Sequence, residues 1–149
     1  MIYEYGDMFS VWDITDLFMI TTNATIKSNG ALVMGRGIAR RIRDMFPGVD
    51  QAIGSHIETG SMYGILVSPH WPDSKLGLFQ VKYNWYENAD PELIRYSMEQ
   101  LEAWVSDHPE ISRVDLNYPG IGNGGLPISE VEPIISNMND KIHIWRFRR

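Results

Sequence analysis

The 149-residue sequence contains no cysteine, which removes disulfides, thiolate metal sites and cysteine nucleophiles together. No apolar run approaches the roughly 18 residues that a membrane-spanning helix needs. The opening MIYEYGDMFSVWD places acidic residues where a secretory leader has basic ones, so the expectation is a cytoplasmic protein with no membrane partner. Positive charge is also in short supply: 19 acidic residues stand against 13 basic ones, a net charge of −6. Broad capture of a nucleic-acid backbone normally needs a basic face, so that class is disfavoured. The four histidines, His56, His70, His108 and His143, have no metal-ligand spacing, and no metal or cofactor is expected. Lysine is scarce, with only Lys27, Lys75, Lys82 and Lys141. No linker or internal repeat divides the chain, and 44% of it is apolar, so residues 1–149 are expected to form one domain.

Against these absences stand two glycine-rich loops. The first lies within Thr22 to Gly48. Leu17 to Thr21 before it is an apolar run rich in β-formers, and Ile38, Ile42, Met45 and Phe46 after it recur at the spacing of one helix face. Gly35 and Gly37 sit at the join. A glycine lets the backbone approach a ligand, and the first N–H groups of a helix have no intrahelical partner, so the join suits an anion such as a diphosphate. A tight turn between strand and helix would need the same glycines. The second loop, Tyr118 to Leu126, contains Gly120, Ile121, Gly122, Asn123, Gly124 and Gly125; it follows a strand-like segment, Val114 to Asn117, and leads into another helix. Two such loops can clasp one diphosphate from both sides.

The remaining chain alternates strand and helix. Ile2 to Tyr5, Leu17 to Thr22, Met62 to Ser68, Gly77 to Val81, Arg113 to Leu116 and Ile142 to Phe147 read as strands. Val49 to Ile57 reads as a short helix. Asp90-Pro91-Glu92 opens a long one with a cap and first-turn proline, its buried stripe being Ile94, Met98, Leu101 and Val105. Ser129 and Glu132 have the spacing of a capping box, before an apolar face of Val131, Ile134, Ile135 and Met138. The class is α/β, a mixed central sheet between helices, with ligands expected outside the carboxyl ends of the strands. Arg36, Arg40, Arg41 and Arg43 crowd the first loop and helix, and Arg146, Arg148 and Arg149 end the chain. They form either a solvated face with a frayed tail or a small basic rim that steers a phosphate-bearing ligand.

Taken in order, three motifs resemble macro domains, especially the branch holding the DarG-type DNA ADP-ribosyl glycohydrolases and the terminal ADP-ribose hydrolases. They are Gly6-Asp7-Met8-Phe9, the run from Asn29 through Met34-Gly35-Arg36-Gly37-Ile38 to Phe46-Pro47, and Pro119-Gly-Ile-Gly-Asn-Gly-Gly. The resemblance covers essentially the whole chain and implies a three-layer α/β/α fold that binds ADP-ribose. It implies Asp7, with Met8 beside it, at the adenine. The backbones of Gly35 to Ile38 and of Gly120 to Gly125 would hold the diphosphate. Asn29 keeps the family's distance to Met34 and is implied at the distal ribose; Asn23 lies six residues earlier, which reads as a three-residue insertion. An aromatic near the end, Trp145 or Phe147, would lie against the adenine.

Phe79, two residues, Lys82, then an aromatic at Trp85 match the DarG-like strand end, which implies Lys82 as the catalytic residue. A neutral amine can attack the anomeric carbon or take a proton there, if partial burial lowers its pKa. An exposed strand-end lysine is the plain alternative. The second loop lacks the Asp that assists the lysine of terminal ADP-ribose hydrolases, and the helix position of their lysine falls near Arg43 and Asp44. The expected function is removal of ADP-ribose from a protein or nucleic-acid target. The alternatives are a non-catalytic reader or sponge of ADP-ribose or a related adenine nucleotide, and a phosphatase for ADP-ribose 1″-phosphate.

Overall fold

A computed structural model describes residues 1–147; Arg148 and Arg149, the last two cations of the expected rim, lie outside the described residues. Six strands form one sheet: β1 (Ile2–Tyr5), β2 (Leu17–Thr22), β3 (Ile65–Val67), β4 (Leu76–Gln80), β5 (Val114–Asn117) and β6 (Ile142–Arg146). Their order is β1-β6-β5-β2-β4-β3, parallel throughout except for β3, which runs antiparallel to β4 at one edge. Parallel strands need crossovers, and helices supply them: α1 (Gly37–Met45), α2 (Val49–Gly54), α3 (Pro91–Asp107) and α4 (Ile128–Ile135).

The near-continuous apolar character of β2 follows from burial on both faces. Leu17 and Met19 join the core beneath α3 and α4, while Phe18 and Ile20 join the one beneath α1 and α2. All four are fully buried. Each such side chain contributes about 1.5–3 kcal/mol relative to exposure. Strand β4 repeats the alternation, with Phe79 on one side and Leu76 and Leu78 on the other. The protein is therefore a three-layer α/β/α structure around a mixed sheet, as expected.

Helix α3 carries the cap and stripe foreseen for it. Asp90 accepts a hydrogen bond from the Glu92 N–H, Pro91 starts the helix, and Ile94, Met98, Leu101 and Val105 are buried. Three other expectations need correction. The Ser129–Glu132 capping box does not form, because α4 starts at Ile128 behind Pro127 and has no side-chain cap. The third strand is only Ile65–Val67; the preceding residues are fixed through Gln80, whose Oε1 accepts from the Tyr63 and Gly64 N–H groups. On α1 only Ala39 and Ile42 are buried, since the helix ends at Met45 and Phe46 turns out to lie against Trp12. No helix among the described residues is long and apolar enough to cross a membrane.

One buried polar knot ties the sheet together beneath the loops. Asp115, with no exposed surface, accepts from Arg113 Nε at 2.9 Å and Nη2 at 3.1 Å, and from Trp145 Nε1 at 2.7 Å. Asp115→Ala leaves a guanidinium and an indole N–H without their acceptor, and is expected to cost roughly 3 kcal/mol or more. A urea titration checks this; loss of under about 1 kcal/mol would mean that water replaces the carboxylate.

Candidate functional site

All the parallel strands end on one side, and a cleft of about 930 Å³ opens there. Both glycine loops line it. A Cβ built on Gly37 would lie 3.1 Å from Nδ2 of Asn123, so the loops meet at that point. Gly37 and Gly122 have φ of +58° and +63°, the left-handed region that glycine adopts without strain, and a Cβ on Gly122 would point into open space. Arg36 occupies the capping position of α1 but makes no side-chain capping bond, which leaves the first-turn N–H groups open to an anion.

Most of the predicted residues come together in this cleft. Asp7 and Met8 line it from the end of β1, Met34, Gly35, Arg36, Gly37 and Ile38 from the first loop, and Lys82 from beyond β4. Gly120, Ile121, Gly122, Asn123 and Gly124 line it from the second loop, and both Trp145 and Phe147 from the end of the chain. Trp145 is a buried wall residue held by Asp115, whereas Phe147 is 79% exposed at the mouth. Gly125 stands outside the lining; its φ of +72° closes the turn, packed against the Asn88 side chain.

Asn29 is not brought to the cleft. The inserted residues form a small hairpin, closed by Lys27 N–H to Ala31 O at 2.8 Å and an Ile26–Leu32 bridge. That hairpin carries Asn29 to an exposed tip, where its side chain accepts from the Ala31 N–H. Asn23, left at the base, lines the cleft instead, and its amide braces the loop by donating to Val33 O at 3.0 Å and accepting from the Thr25 N–H at 2.9 Å.

Asp7 has a partner that the sequence did not reveal. Its Oδ1 accepts from the Phe9 N–H, and Arg41 binds both carboxylate oxygens at 3.0 and 3.1 Å while its guanidinium carbon sits 4.0 Å from the Phe9 ring centre. The periodicity of α1 gives Arg41 no mark that separates it from Arg40 or Arg43. Lys27 and Asn117 line the cleft without having been singled out either; Lys27 arrives on the inserted hairpin, and Asn117 is fixed by bonds to Thr21.

Charge in the cleft runs opposite to charge on the chain. Among the described residues its lining includes five cations, Lys27, Arg36, Arg41, Lys82 and Arg146, and one acid, Asp7, in a protein of net charge −6. Such a focus of positive potential selects a compact polyanion. Lys82 and Arg146 are half-buried, and Lys27, Arg36 and Arg41 are exposed. The Lys82 Nζ donates to the Asn123 carbonyl at 3.1 Å and the Trp85 carbonyl at 3.4 Å, which ties Lys82 to the second loop. Burial and then the nearby Arg36 charge hold its pKa below the ordinary lysine value, against a smaller opposing pull from Glu87. No group of three or more His, Cys, Asp or Glu among the described residues is arranged to hold a metal.

No family model and no curated protein sequence matches this chain. Its structure is similar to the macrodomain of Mycobacterium tuberculosis DarG, with a TM-score of 0.70 at 21% identity over 97% of each chain. It is also similar to the macrodomain of Thermus aquaticus DarG, with a TM-score of 0.68 at 18% identity over 99% of this chain and 97% of that one. A third similar structure, Thermosipho africanus DarTG, is a complex with ADP-ribose; the TM-score is 0.69 at 19% identity, over 97% of this chain and 41% of the other. By its structural similarity to these macrodomains over nearly its whole length, this chain has the macrodomain fold.

Proposed function

We propose that the cleft binds ADP-ribose and that the protein is an ADP-ribosyl hydrolase, with Lys82 acting at the anomeric carbon of the distal ribose. The observation that carries this reading is the lysine itself: a half-buried amine of lowered pKa, hydrogen-bonded to a glycine loop that faces a helix N-terminus. A neutral amine has two N–H bonds and one lone pair. The two carbonyls of Asn123 and Trp85 match the two N–H bonds and leave the lone pair as the remaining tetrahedral direction. As nucleophile, that lone pair forms a bond to C1″ while the acceptor departs with the electrons of the broken bond and takes up the proton that the alkylated amine sheds; water then adds at C1″, displaces the lysine nitrogen and yields ADP-ribose and the free amine. The loops hold the diphosphate and fix C1″ beside the amine, so much of the barrier is met by positioning. Asp7, an acceptor-only carboxylate, suits the exocyclic amine of adenine. We assign the distal ribose to Asn23, which lines the cleft where Asn29 does not.

The protonation requirement gives a test of sign. Only the neutral amine reacts, so the rate rises with pH and levels off above the Lys82 pKa. Removing a neighbouring positive charge raises that pKa. Arg36→Gln is therefore expected to move the rising limb of the pH–rate profile to higher pH, with slower turnover near neutrality. A limb that stays in place or moves down would show that Lys82 is not the titrating group. Titration of the wild type with ADP-ribose by calorimetry tests the binding half of the proposal; absence of heat and of competition at millimolar ligand would end it.

A further inference from the structure

We propose that Tyr63 and Gln80 are positioning residues for the reaction, a brace beneath the cleft that fixes Asn23 and Lys82 relative to each other; this rests on the hydrolase reading above. The regular pairing of β2 with β4 ends at Thr22 and Gln80, with the Val81 N–H still donating to Thr22 O at 3.0 Å. One further step of a parallel ladder would carry the Ala24 N–H to Val81 O. It instead reaches Tyr83 O at 3.1 Å, while Val81 O accepts from the Asp90 N–H at 2.9 Å. Residues 81–83 therefore bow out of the sheet, and Lys82 sits in the bow. Such a departure re-aims a side chain, and it also deprives Asn23 and Lys82 of the ladder that would fix their spacing.

Two side chains take over where the ladder stops. The Tyr63 hydroxyl donates to Asn23 O at 2.7 Å and accepts from Thr22 Oγ1 at 2.6 Å. Burial holds the phenol above its ordinary pKa, so the donated proton stays on Tyr63. The Gln80 Nε2 donates to Lys82 O at 3.2 Å and to Ser61 O at 2.8 Å, and its Oε1 accepts from the Tyr63 N–H at 2.7 Å and the Gly64 N–H at 3.0 Å. Both amide hydrogens and both oxygen lone pairs are used, which leaves the amide one orientation. Gln80 and Ser97 have no exposed surface, and Ser97 Oγ donates to the Gln80 carbonyl at 2.7 Å, anchoring the brace to α3.

Asn23, Tyr63, Gln80 and Lys82 are thus joined by an unbroken run of hydrogen bonds through the segment before β3. Asn23 and Lys82 line the cleft; Tyr63 and Gln80 do not, so any effect of the brace on the chemistry passes through the first two. A displacement of about 1 Å at the reacting atoms can cost roughly 10²-fold in rate. That sensitivity gives the brace its consequence.

Gln80→Ala would leave several buried groups unpaired and endanger folding, so the test uses Tyr63→Phe, which removes one hydroxyl and keeps the ring and the backbone bond to Gln80. The substrate is an oligonucleotide carrying ADP-ribosylated thymidine, with rates normalised to the folded fraction read from a urea curve. For Tyr63→Phe, kcat is expected to fall about tenfold while KM stays within about twofold. Thr22→Val removes the same Thr22–Tyr63 bond but spares the link to Asn23. It is expected to lose similar stability and to keep the wild-type kcat. A wild-type kcat in Tyr63→Phe, or an equal loss of kcat in Thr22→Val, would overturn the brace. Absence of turnover in the wild type would instead overturn the parent reading, so the two failures are distinguishable.

Discussion

Lys82→Ala is expected to lower turnover of an ADP-ribosylated substrate by roughly 10²–10⁴-fold, the range for loss of a group that attacks or moves the proton. Affinity for ADP-ribose is expected to change little, because the proposed site assigns the diphosphate to the loop backbone and the adenine to Asp7. This split between kcat and binding is what separates a catalytic lysine from one that merely attracts phosphate. A purely electrostatic role predicts the opposite pattern, with weakened binding and an unchanged rate at saturation. Lys82→Arg refines the distinction. It keeps the positive charge but cannot present a neutral amine at any accessible pH, so it is expected to bind ADP-ribose and remain inactive.

Gly122→Glu is expected to weaken ADP-ribose binding by more than about 100-fold, since like charges brought together at a binding site cost several kcal/mol. The geometry makes this substitution informative. A side chain at Gly122 enters open space in the cleft rather than the core, so it competes with the ligand instead of the fold. The φ of +63° adds roughly 1–2 kcal/mol of backbone strain for any residue with a Cβ. Gly122→Ala carries that strain without the charge. It should melt like Gly122→Glu while binding ADP-ribose far better; equal loss of binding in both would trace the effect to the backbone. Because a reader, a sponge and a hydrolase all use this loop, the pair defines the site without deciding its chemistry.

Much of the fold was legible in the sequence because burial leaves a periodic trace. The two-sided burial of β2 shows as an unbroken apolar run, and the one-sided burial of α3 shows as a stripe at 94, 98, 101 and 105 behind an Asp-Pro cap. The glycine loops were legible for a different reason: at Gly37, Gly120 and Gly122 the backbone is in the left-handed region, which other residues enter with strain. What the sequence hid depends on contacts between distant segments. The pairing of Arg41 with Asp7 joins residues 34 positions apart and leaves no local pattern. Asn29 stands away from the cleft because spacing to Met34 counts residues along the chain, whereas the hairpin at Lys27–Ala31 decides where the side chain ends up. The capping-box spacing at Ser129 and Glu132 misled for the reverse reason: local spacing was right, but Pro127 and Ile128 had already set the helix start.

The most direct test of the central claim is release of free ADP-ribose, measured by chromatography, from an oligonucleotide carrying ADP-ribosylated thymidine. The wild-type protein is expected to release ADP-ribose and leave an intact thymidine, at a rate that rises with pH and is lost in Lys82→Ala. No release by wild-type protein that binds ADP-ribose in the same buffer, on this substrate and on ADP-ribosylated glutamate and arginine peptides, would contradict the hydrolase and leave a binding protein in its place.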